Sequence, residues 1–344
     1  MITSSKCRPR KGAGLFPGHD TPYQITSTAF ATEPVGVLRA LFGVTNSMIG
    51  RLFRVATDFE HIVFDSGGVR IGAFRCHPDH PSFQDSGPAR NYCFVFPRTA
   101  VRIEHEHEPP FVANANVVTF YNSGQTYCRS SISPEGDHCD WFGLDSQLVR
   151  DVVRTVDSSV DDQPERPFLR THGWADSSTY LFQRKLFARV SAQPATDTLW
   201  VEENVIELLD RVVRNAYQVA PLMPPAIGSR HKTAAYDIET ILSRRNGEDP
   251  TLTGIAREIG LSAYHVCRLF HRVTGMKLHQ YRLRLRLRAA LAEVQDSTRP
   301  LTDIALDAGF YSHSHFTAAF GKEFGLTPSA LRASRFPGIT RTIF

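Results

Sequence analysis

A short pattern of residues occurs twice near the carboxyl end of this 344-residue chain, and it constrains the fold more than any other feature. The first copy, LTGIAREIGLSAYHVCRLFHRVTG, runs from Leu252 to Gly275, and the second, LTDIALDAGFYSHSHFTAAFGKEFG, runs from Leu301 to Gly325. Matching positions are 49 residues apart up to the first glycine and 50 apart further on, so the second copy has one added residue. A repeat this regular indicates a duplicated structural unit.

Each copy reads as a short amphipathic helix, a glycine, a turn and a second helix, which is the pattern of a helix-turn-helix. Gly260 and Gly309 stand where the chain must leave the first helix, so we expect a positive φ at both. Ser262 and Ser312 are candidate N-caps of the second helices. One such copy fits a helical hairpin in an all-α core as well as it fits DNA binding, whereas two copies in tandem favour DNA binding.

The segment that joins the two copies alternates arginine and leucine from Arg282 to Arg288, as an amphipathic strand would. The stripe Leu283, Leu287, Ala290, Leu291 and Val294 nevertheless has helical spacing, and the segment continues into good helix formers. We therefore predict one long helix from Leu278 to Gln295 that holds the two units at a fixed separation.

Residues from Tyr236 to Arg332 resemble the C-terminal domain of the AraC/XylS family of transcription regulators, which carries two helix-turn-helix units. The stretch DIALDAGFYSHSHFTAAFGKEFGLTPSALR is similar to the family signature DIAxxxGFxxxSxFxxxFKxxxGxTPxxYR, with Gly321 in place of the usual Lys and Leu331 in place of the usual Tyr. Arg286, Leu287 and Ala290 stand where the family has RLxxA. The resemblance implies a DNA-binding regulator that senses an effector.

Composition predicts an ordinary soluble protein of two or three domains, with 42% hydrophobic and 22% charged residues. No apolar run is long enough to span a membrane, the first residues lack the apolar core of a secretory signal, and six scattered cysteines suggest reduced thiols, so we expect a cytoplasmic protein. Residues 231–344 contain 16 Lys+Arg against 10 Asp+Glu, a net +6, while the whole chain has +4. The excess positive charge lies in the half that carries the repeat, as contact with phosphates requires.

The predicted fold is multidomain, with a mainly β N-terminal region, a helical segment and then an all-α domain. Short β-rich runs between Ile62 and Trp141 predict an antiparallel sandwich or small barrel, and the family resemblance implies a cupin-like jelly roll. Two later stretches, 177–191 and 196–217, predict helices whose apolar stripes pack against each other or against a second chain. The predicted divisions are a disordered basic tail at 1–22, an effector-sensing domain at 23–145, a helical dimerisation segment at 146–218, a linker at 219–232 and the DNA-binding domain at 233–336.

The second helix of a helix-turn-helix enters the major groove with its first exposed side chains toward the bases. The first unit would use Tyr264, His265, Cys267 and Arg268, with Arg268 bidentate to guanine or, alternatively, paired with a phosphate or carboxylate. By resemblance, the second unit would use His313, Ser314 and Thr317. Candidate contacts to the DNA backbone are Arg282, Arg284, Arg286, Arg288 and Lys322, with a buried ion pair as the alternative for Arg286. The two units would reach successive major-groove segments about 34 Å apart.

Candidate sensing residues lie in the β-rich region. His105 and His107 form an HxH pair whose imidazoles would share one face of a strand, which makes them weak metal candidates. The glutamate that the cupin metal pattern requires several residues later is absent, and EHEHEPP resembles a solvated turn. We therefore expect a small organic effector, with Arg98, Arg102, Tyr121 or Tyr127 as polar anchors, and no cofactor.

The expected partners are double-stranded promoter or operator DNA, a small-molecule effector and a second copy of the chain, with RNA polymerase as a further candidate and no membrane. The sequence favours a regulator, and the resemblance favours an activator. One alternative is a metal-dependent cupin enzyme or metal sensor fused to a DNA-binding domain, although no nucleophile–base set or phosphate loop supports an enzyme. Another is a nonspecific architectural DNA binder, but side chains as varied as Tyr264, His265 and Arg268 suit sequence reading better.

Overall fold

The computed structural model describes residues 59–84, 88–106, 108–193, 196–218, 228–244 and 250–334. The predicted tail at 1–22, most of the predicted linker at 219–232, and His107 lie outside these described residues. The described residues from Phe59 onward belong to one compact unit. The β-rich half and the domain predicted to bind DNA can therefore be described together.

The amino-terminal half of the described chain is built from two antiparallel sheets. Its strands are β1 (Glu60–Asp65), β2 (Val69–Cys76), β3 (Tyr92–Pro97), β4 (Val101–His105), β5 (Phe111–Ala113), β6 (Val117–Tyr121), β7 (Tyr127–Ser131), β8 (Asp137–Leu144) and β9 (His172–Trp174). One sheet has the order β1-β2-β8-β3-β6-β9 and the other the order β5-β4-β7. The predicted mainly β fold of this region is confirmed.

The larger sheet is buried on both faces. Successive side chains along each strand point to opposite faces, so each strand contributes to two layers of packing. Phe94, Phe120 and Phe142 point toward the helices that follow in the chain, where they share one core with them. Tyr121 and Trp141, one residue away on their strands, point to the other face and join a second cluster with Tyr127 of β7. The sheet is therefore the middle layer between the smaller sheet and a helical layer.

Gly72 shows how closely this sheet is packed. It lies directly opposite Trp141 in the β2–β8 ladder, and a Cβ at position 72 would lie 2.5 Å from the indole ring of Trp141. A distance that short is a steric clash, so only glycine leaves room for the indole ring.

The helical layer consists of α1 (Ser146–Arg154), α2 (Ser177–Ala192) and α3 (Thr198–Gln218). These bounds lie close to the predicted helices. The α3 stripe that contains Val205, Leu208 and Val212 is completely buried against the rest of the same chain. Of the two packing arrangements that the sequence left open, the structure shows the one within a single chain.

The DNA-binding domain is all α, as predicted. Its helices are α4 (Ser229–Ser243), α5 (Leu252–Ile259), α6 (Ala263–Thr274), α7 (Leu278–Asp296), α8 (Leu301–Asp307), α9 (His313–Phe324) and α10 (Pro328–Ala333). The long helix α7 has the predicted start and ends one residue later than predicted. Helix α4 begins at Ser229, inside the stretch predicted as the linker.

The turn chemistry of the repeat is confirmed at each predicted position. Gly260 has φ 73° and Gly309 has φ 76°, which is the left-handed conformation that glycine adopts most easily. The side-chain oxygen of Ser262 accepts from the backbone N–H of His265, and that of Ser312 accepts from the backbone N–H of His315. Each recognition helix is therefore capped at the end that would meet DNA.

The hydrophobic core continues from the β-rich half into the second helix-turn-helix unit. Leu291 of α7, Phe316 of α9 and Leu331 of α10 belong to the same cluster as Phe142 and the α3 stripe. The first unit has a core of its own around Phe270 and Tyr281. No helix in the described part of the chain is long and apolar enough to cross a lipid bilayer.

Candidate nucleic-acid interface

The first recognition helix, α6, has one buried face and one exposed face. Val266 and Phe270 have no exposed surface, and Leu269 is also buried. The residues predicted to contact bases, Tyr264, His265, Cys267 and Arg268, are all exposed. The predicted division of α6 into buried and exposed residues therefore agrees with the structure.

Arg268 is free of intramolecular ion pairs within the described residues. Its guanidinium lies 5.7 Å from the centroid of the Tyr264 ring, and the ring of Tyr264 is next to that of His265, at 5.8 Å. The Nδ1 atom of His265 lies 2.9 Å from the hydroxyl of Ser262, the N-cap. The contact with Tyr264 orders the Arg268 side chain, while its N–H donors stay available for a base edge.

The second recognition helix, α9, differs from the first in the character of its exposed face. His313, Ser314, His315 and Ala318 are exposed, and no arginine stands among them. Thr317 is only half-exposed, and its hydroxyl oxygen is buried without a hydrogen-bond partner among the described residues. The Thr317 hydroxyl therefore does not face the groove as predicted.

Tyr311 is a surface aromatic residue that the sequence reasoning missed. It is 81% exposed, and its ring stacks on that of His315, with centroids 4.4 Å apart and planes at 21°. Tyr311 directly precedes the N-cap Ser312, in the part of the second copy that contains the added residue. That insertion was the available signal, because an added residue at a turn places a side chain with no counterpart in the first copy.

Three of the arginines predicted to contact the DNA backbone, Arg284, Arg286 and Arg288, bind other groups of the protein. Arg284 pairs with Glu323 at 3.3 Å, and Arg286 donates from Nε to the carbonyl of Ala308 at 2.5 Å and from Nη2 to that of Gly309. Arg286 thus binds two backbone carbonyls within the protein, and the predicted alternative of an ion pair stays a prediction. A Cβ at Gly309 would lie 2.8 Å from Nη2 of Arg286, so a side chain there would displace the guanidinium from its two carbonyls besides adopting an unfavourable φ.

Arg288 is the largest departure from the prediction. It is completely buried, and it donates from Nη1 to the carbonyl of Ala115 at 2.5 Å and from Nη2 to that of Ala175 at 2.8 Å. Its guanidinium lies 4.7 Å from the Tyr180 ring. Burial lowers the pKa of Arg288 to about 10, which still leaves it charged at neutral pH. Arg288 joins the DNA-binding domain to the β-rich half and does not reach DNA.

Lys322 is exposed and Arg282 is half-buried. Arg282 lines a cleft of about 490 Å³ between the β-rich half and helices α4, α7 and α8, and Arg98 lines the same cleft. A residue predicted to contact DNA and one predicted to contact an effector therefore line the same cleft. Lys322 keeps its predicted role as a candidate contact to DNA phosphate.

The predicted effector anchors do not share one pocket. Arg98 pairs with Asp296 of α7, while Arg102 pairs with Glu104 at 3.2 Å and lies 5.6 Å from the Tyr236 ring. Tyr121 and Tyr127 lie between the two sheets, with ring centroids 4.9 Å apart. Burial, with a further contribution from Tyr127, raises the pKa of Tyr121 well above its ordinary value.

His105 also lies between the sheets rather than in a solvated turn. It is 1% exposed, and burial lowers its pKa to about 4. Its Nδ1 atom lies 2.8 Å from Nε2 of Gln125, and its Nε2 atom is buried without a partner among the described residues. Within the ranges that the structure describes, which omit His107, no group of three His, Cys, Asp or Glu residues is arranged to hold a metal ion.

The fold and the exposed faces of α6 and α9 define a DNA-binding domain with two helix-turn-helix units. Residues 255–334 match a protein family described as a helix-turn-helix domain. The chain is 37% identical over 78 residues to the regulatory protein SoxS of Salmonella typhimurium, which is 23% of this chain and 73% of that relative. It therefore belongs to the AraC/XylS family of transcription regulators.

A second relative matches over a smaller share of its own length. The chain is 34% identical over 94 residues to the melibiose operon regulatory protein of Escherichia coli K12, covering 26% of this chain and 31% of that protein. These relatives are regulators, and this chain is a DNA-binding transcription regulator of the AraC type. These two matches cover 23% and 26% of this chain, and the chain spans about a third of the length of the melibiose operon regulatory protein.

Two solved structures are also similar. An AraC-type DNA-binding transcriptional regulator from Chromobacterium violaceum is 28% identical, covers 32% of this chain and 100% of that chain, and has a TM-score of 0.30. Apo ToxT from Vibrio cholerae is 12% identical, covers 79% of this chain and 99% of that chain, and has a TM-score of 0.33. Both scores are too low to establish any property of this chain.

Proposed function

We propose that this protein is a sequence-specific transcription regulator whose first recognition helix reads bases mainly through Arg268. The observation that supports this most directly is the guanidinium of Arg268, which is exposed beside Tyr264 and His265 on a capped helix and has no ion pair with any residue that the structure describes. A guanidinium in this setting can donate two hydrogen bonds to O6 and N7 of a guanine. The second helix, which has no arginine on its exposed face, contributes less to base selection.

Selection of binding sites from random DNA tests this assignment. The wild-type protein should select a defined motif, and Arg268→Ala should lose the preference at one base position and weaken binding to the selected site by about 1–3 kcal/mol. Arg272→Ala is the matched control, because Arg272 is exposed on the same helix one turn further from its N-terminus. An unchanged motif with Arg268→Ala would remove Arg268 from base reading.

We further propose that the β-rich half senses a small-molecule effector and that the protein acts as an activator. The sensing role is supported by the continuous core and by the two clefts, both of which lie between the β-rich half and the DNA-binding domain. A molecule bound in either cleft contacts both halves at once, so its binding can change how they fit together. Transcription from a promoter that carries the selected motif, measured with and without the protein, tests the direction of regulation.

We also propose that the protein forms a homodimer. The packing of the helices restricts which surface the second copy can use. Because the α3 stripe is buried within one chain, a second copy must bind through another surface. Sedimentation velocity with and without the selected DNA measures the oligomeric state. A strictly monomeric protein in both conditions contradicts this part of the proposal.

A further inference from the structure

A cleft of about 680 Å³ lies between the β-rich half and the DNA-binding domain, on α2 and the last residues of α7. Five cationic side chains line it, namely Arg75, Arg98, Arg184, Lys185 and Arg189. Among the described residues along its walls, Asp296 alone is acidic. The cleft therefore has a large excess of positive charge, and Phe187 and Leu331 add apolar surface.

Two of the five cations are neutralised at the base of the cleft. Nη1 of Arg184 donates to Asp140 at 2.5 Å, its Nη2 donates to Asp296 at 2.9 Å, and Arg98 also pairs with Asp296. Arg184 and Asp140 are each about 1% exposed. Burial alone would lower the pKa of Arg184, but the two carboxylates outweigh it and raise that pKa. Two carboxylates thus match two guanidinium groups.

The other three cations give the cleft its net charge. Arg75, Lys185 and Arg189 are exposed, and within the described residues no carboxylate lies within ion-pairing distance of them. Arg189 lies 4.0 Å from the centroid of the Trp200 ring, a contact that orders the guanidinium and leaves its N–H donors without a partner among the residues that the structure describes. Three cations around one concave surface attract a ligand of opposite charge.

Two buried polar atoms of the cleft residues also have no partner in the part of the chain that the structure describes. They are Nε of Arg184, a donor, and Oε1 of Gln295, an acceptor. Buried polar groups are nearly always hydrogen-bonded, so each such atom needs an explanation. The cleft has the size and the mixture of apolar wall and few polar groups that are typical of small-molecule sites.

We propose that this cleft binds a small anionic molecule with at least two negative charges, such as a phosphorylated or dicarboxylic compound. Arg75, Lys185 and Arg189 contact its charged groups, and Phe187 and Leu331 contact its carbon skeleton. The proposal rests on the sensing role proposed above and gives the chemical class of the effector.

Asp296 couples this site to the DNA-binding domain. It belongs to α7, whereas its partners Arg98 and Arg184 belong to the other half, so these ion pairs join the two halves. An anion in the cleft lies beside Asp296 and repels its carboxylate, so anion binding and the Asp296 ion pairs oppose each other. The variant Asp296→Asn should therefore bind the anion more tightly than the wild type does.

Isothermal titration of the full-length protein with inorganic pyrophosphate, at constant ionic strength, tests the site. We expect saturable binding to one site, weakened about 2- to 5-fold by each of Arg75→Gln and Lys185→Gln, both of which alter exposed residues. Asp296→Asn should strengthen binding by a similar factor. Arg268→Ala is the control for pyrophosphate bound at the DNA-reading surface, and it should leave the affinity unchanged.

The results separate this inference from the proposed function. No saturable binding, or equal affinity in the wild type and in the Arg75 and Lys185 variants, overturns the cleft as an anion site, as does loss of binding in Arg268→Ala. Binding to the selected DNA is measured in parallel by fluorescence anisotropy. Specific DNA binding without pyrophosphate binding overturns this inference alone, whereas pyrophosphate binding without specific DNA binding overturns the proposed function.

Discussion

Two histidines between the sheets, the buried His105 and the partly buried His172, make the stability of this protein depend on pH in a calculable way. The imidazoles of His105 and His172 both lie nearly parallel to the ring of Phe111, at 5.9 and 3.9 Å between centroids. Burial, with Arg166 adding to it, lowers the pKa of His105 to about 4, and burial, with His105 adding to it, lowers that of His172 to about 3. The amide N–H of Gln125 donates to Nδ1 of His105, so a proton on that atom would break this bond.

Proton linkage gives the sign and the size of the effect that each histidine has on the free energy of unfolding. In the unfolded chain both histidines have the ordinary pKa of 6.5, so between pH 6.5 and the folded pKa the unfolded state binds more protons. The stabilisation is therefore complete above pH 6.5 and is lost as the pH falls toward 4. When the pH falls from 7 to 5, the unfolded chain gains a proton at each of these histidines, and each one thereby lowers the free energy of unfolding by about 2 kcal/mol.

Glu239 acts in the opposite direction, because burial raises its pKa to about 8 and it gains a proton on folding in the same range. The measurement must therefore compare variants and not rely on one pH curve. Urea denaturation of the wild type and of His105→Gln at pH 7 and pH 5 isolates the histidine. The wild type should lose about 2 kcal/mol more than the variant over this interval.

His279→Gln is the control, because His279 is exposed on α7 and its replacement should leave the pH dependence as in the wild type. If His105→Gln and the wild type lose equal stability between pH 7 and pH 5, His105 is not held neutral by burial.

Two further predictions concern stability. Gly309→Ala should destabilise the protein by about 1 kcal/mol more than Gly260→Ala does. Both positions have a positive φ, but only at 309 would the added carbon meet Arg286. Equal losses of stability in urea denaturation would contradict this prediction. Asp140→Asn should cost about 3 kcal/mol or more, because it removes a carboxylate from the buried guanidinium of Arg184, and a loss below about 1 kcal/mol would contradict the buried pair.

The helix-turn-helix units could be predicted from the sequence because their determinants are local. A serine that caps a helix, a glycine that ends one and an apolar stripe act within one or two turns of chain. The spacing of apolar residues after each cap therefore predicts which side chains are buried. On α6, Val266 and Phe270 are buried, and this leaves Tyr264, His265, Cys267 and Arg268 exposed.

Arg288 could not be placed this way, because its partners are distant in sequence. The alternation from Arg282 to Arg288 gives every arginine the same local context, yet Arg288 lies against the carbonyls of Ala115 and Ala175. Only the packing of α7 against the β-rich half decides which arginine is buried. The same limit applies to Arg98, whose partner Asp296 lies 198 residues later.

The helices predicted to mediate dimerisation illustrate a third limit. An apolar stripe such as that of α3 shows that a helix must be covered, but periodicity is the same whether the cover comes from the same chain or from another. In this chain the cover of α3 includes α1, α2 and β9, which all pack against it.

The central claim is that the two helix-turn-helix units enter neighbouring segments of the major groove. Methylation protection of guanine N7, which lies in the major groove, tests it directly on the selected DNA site. We expect two protected blocks on one face of the DNA, about 10 base pairs apart, for each bound subunit, with the stronger protection under the unit that contains Arg268. A single protected block, or binding that leaves the major groove fully reactive, would contradict the account.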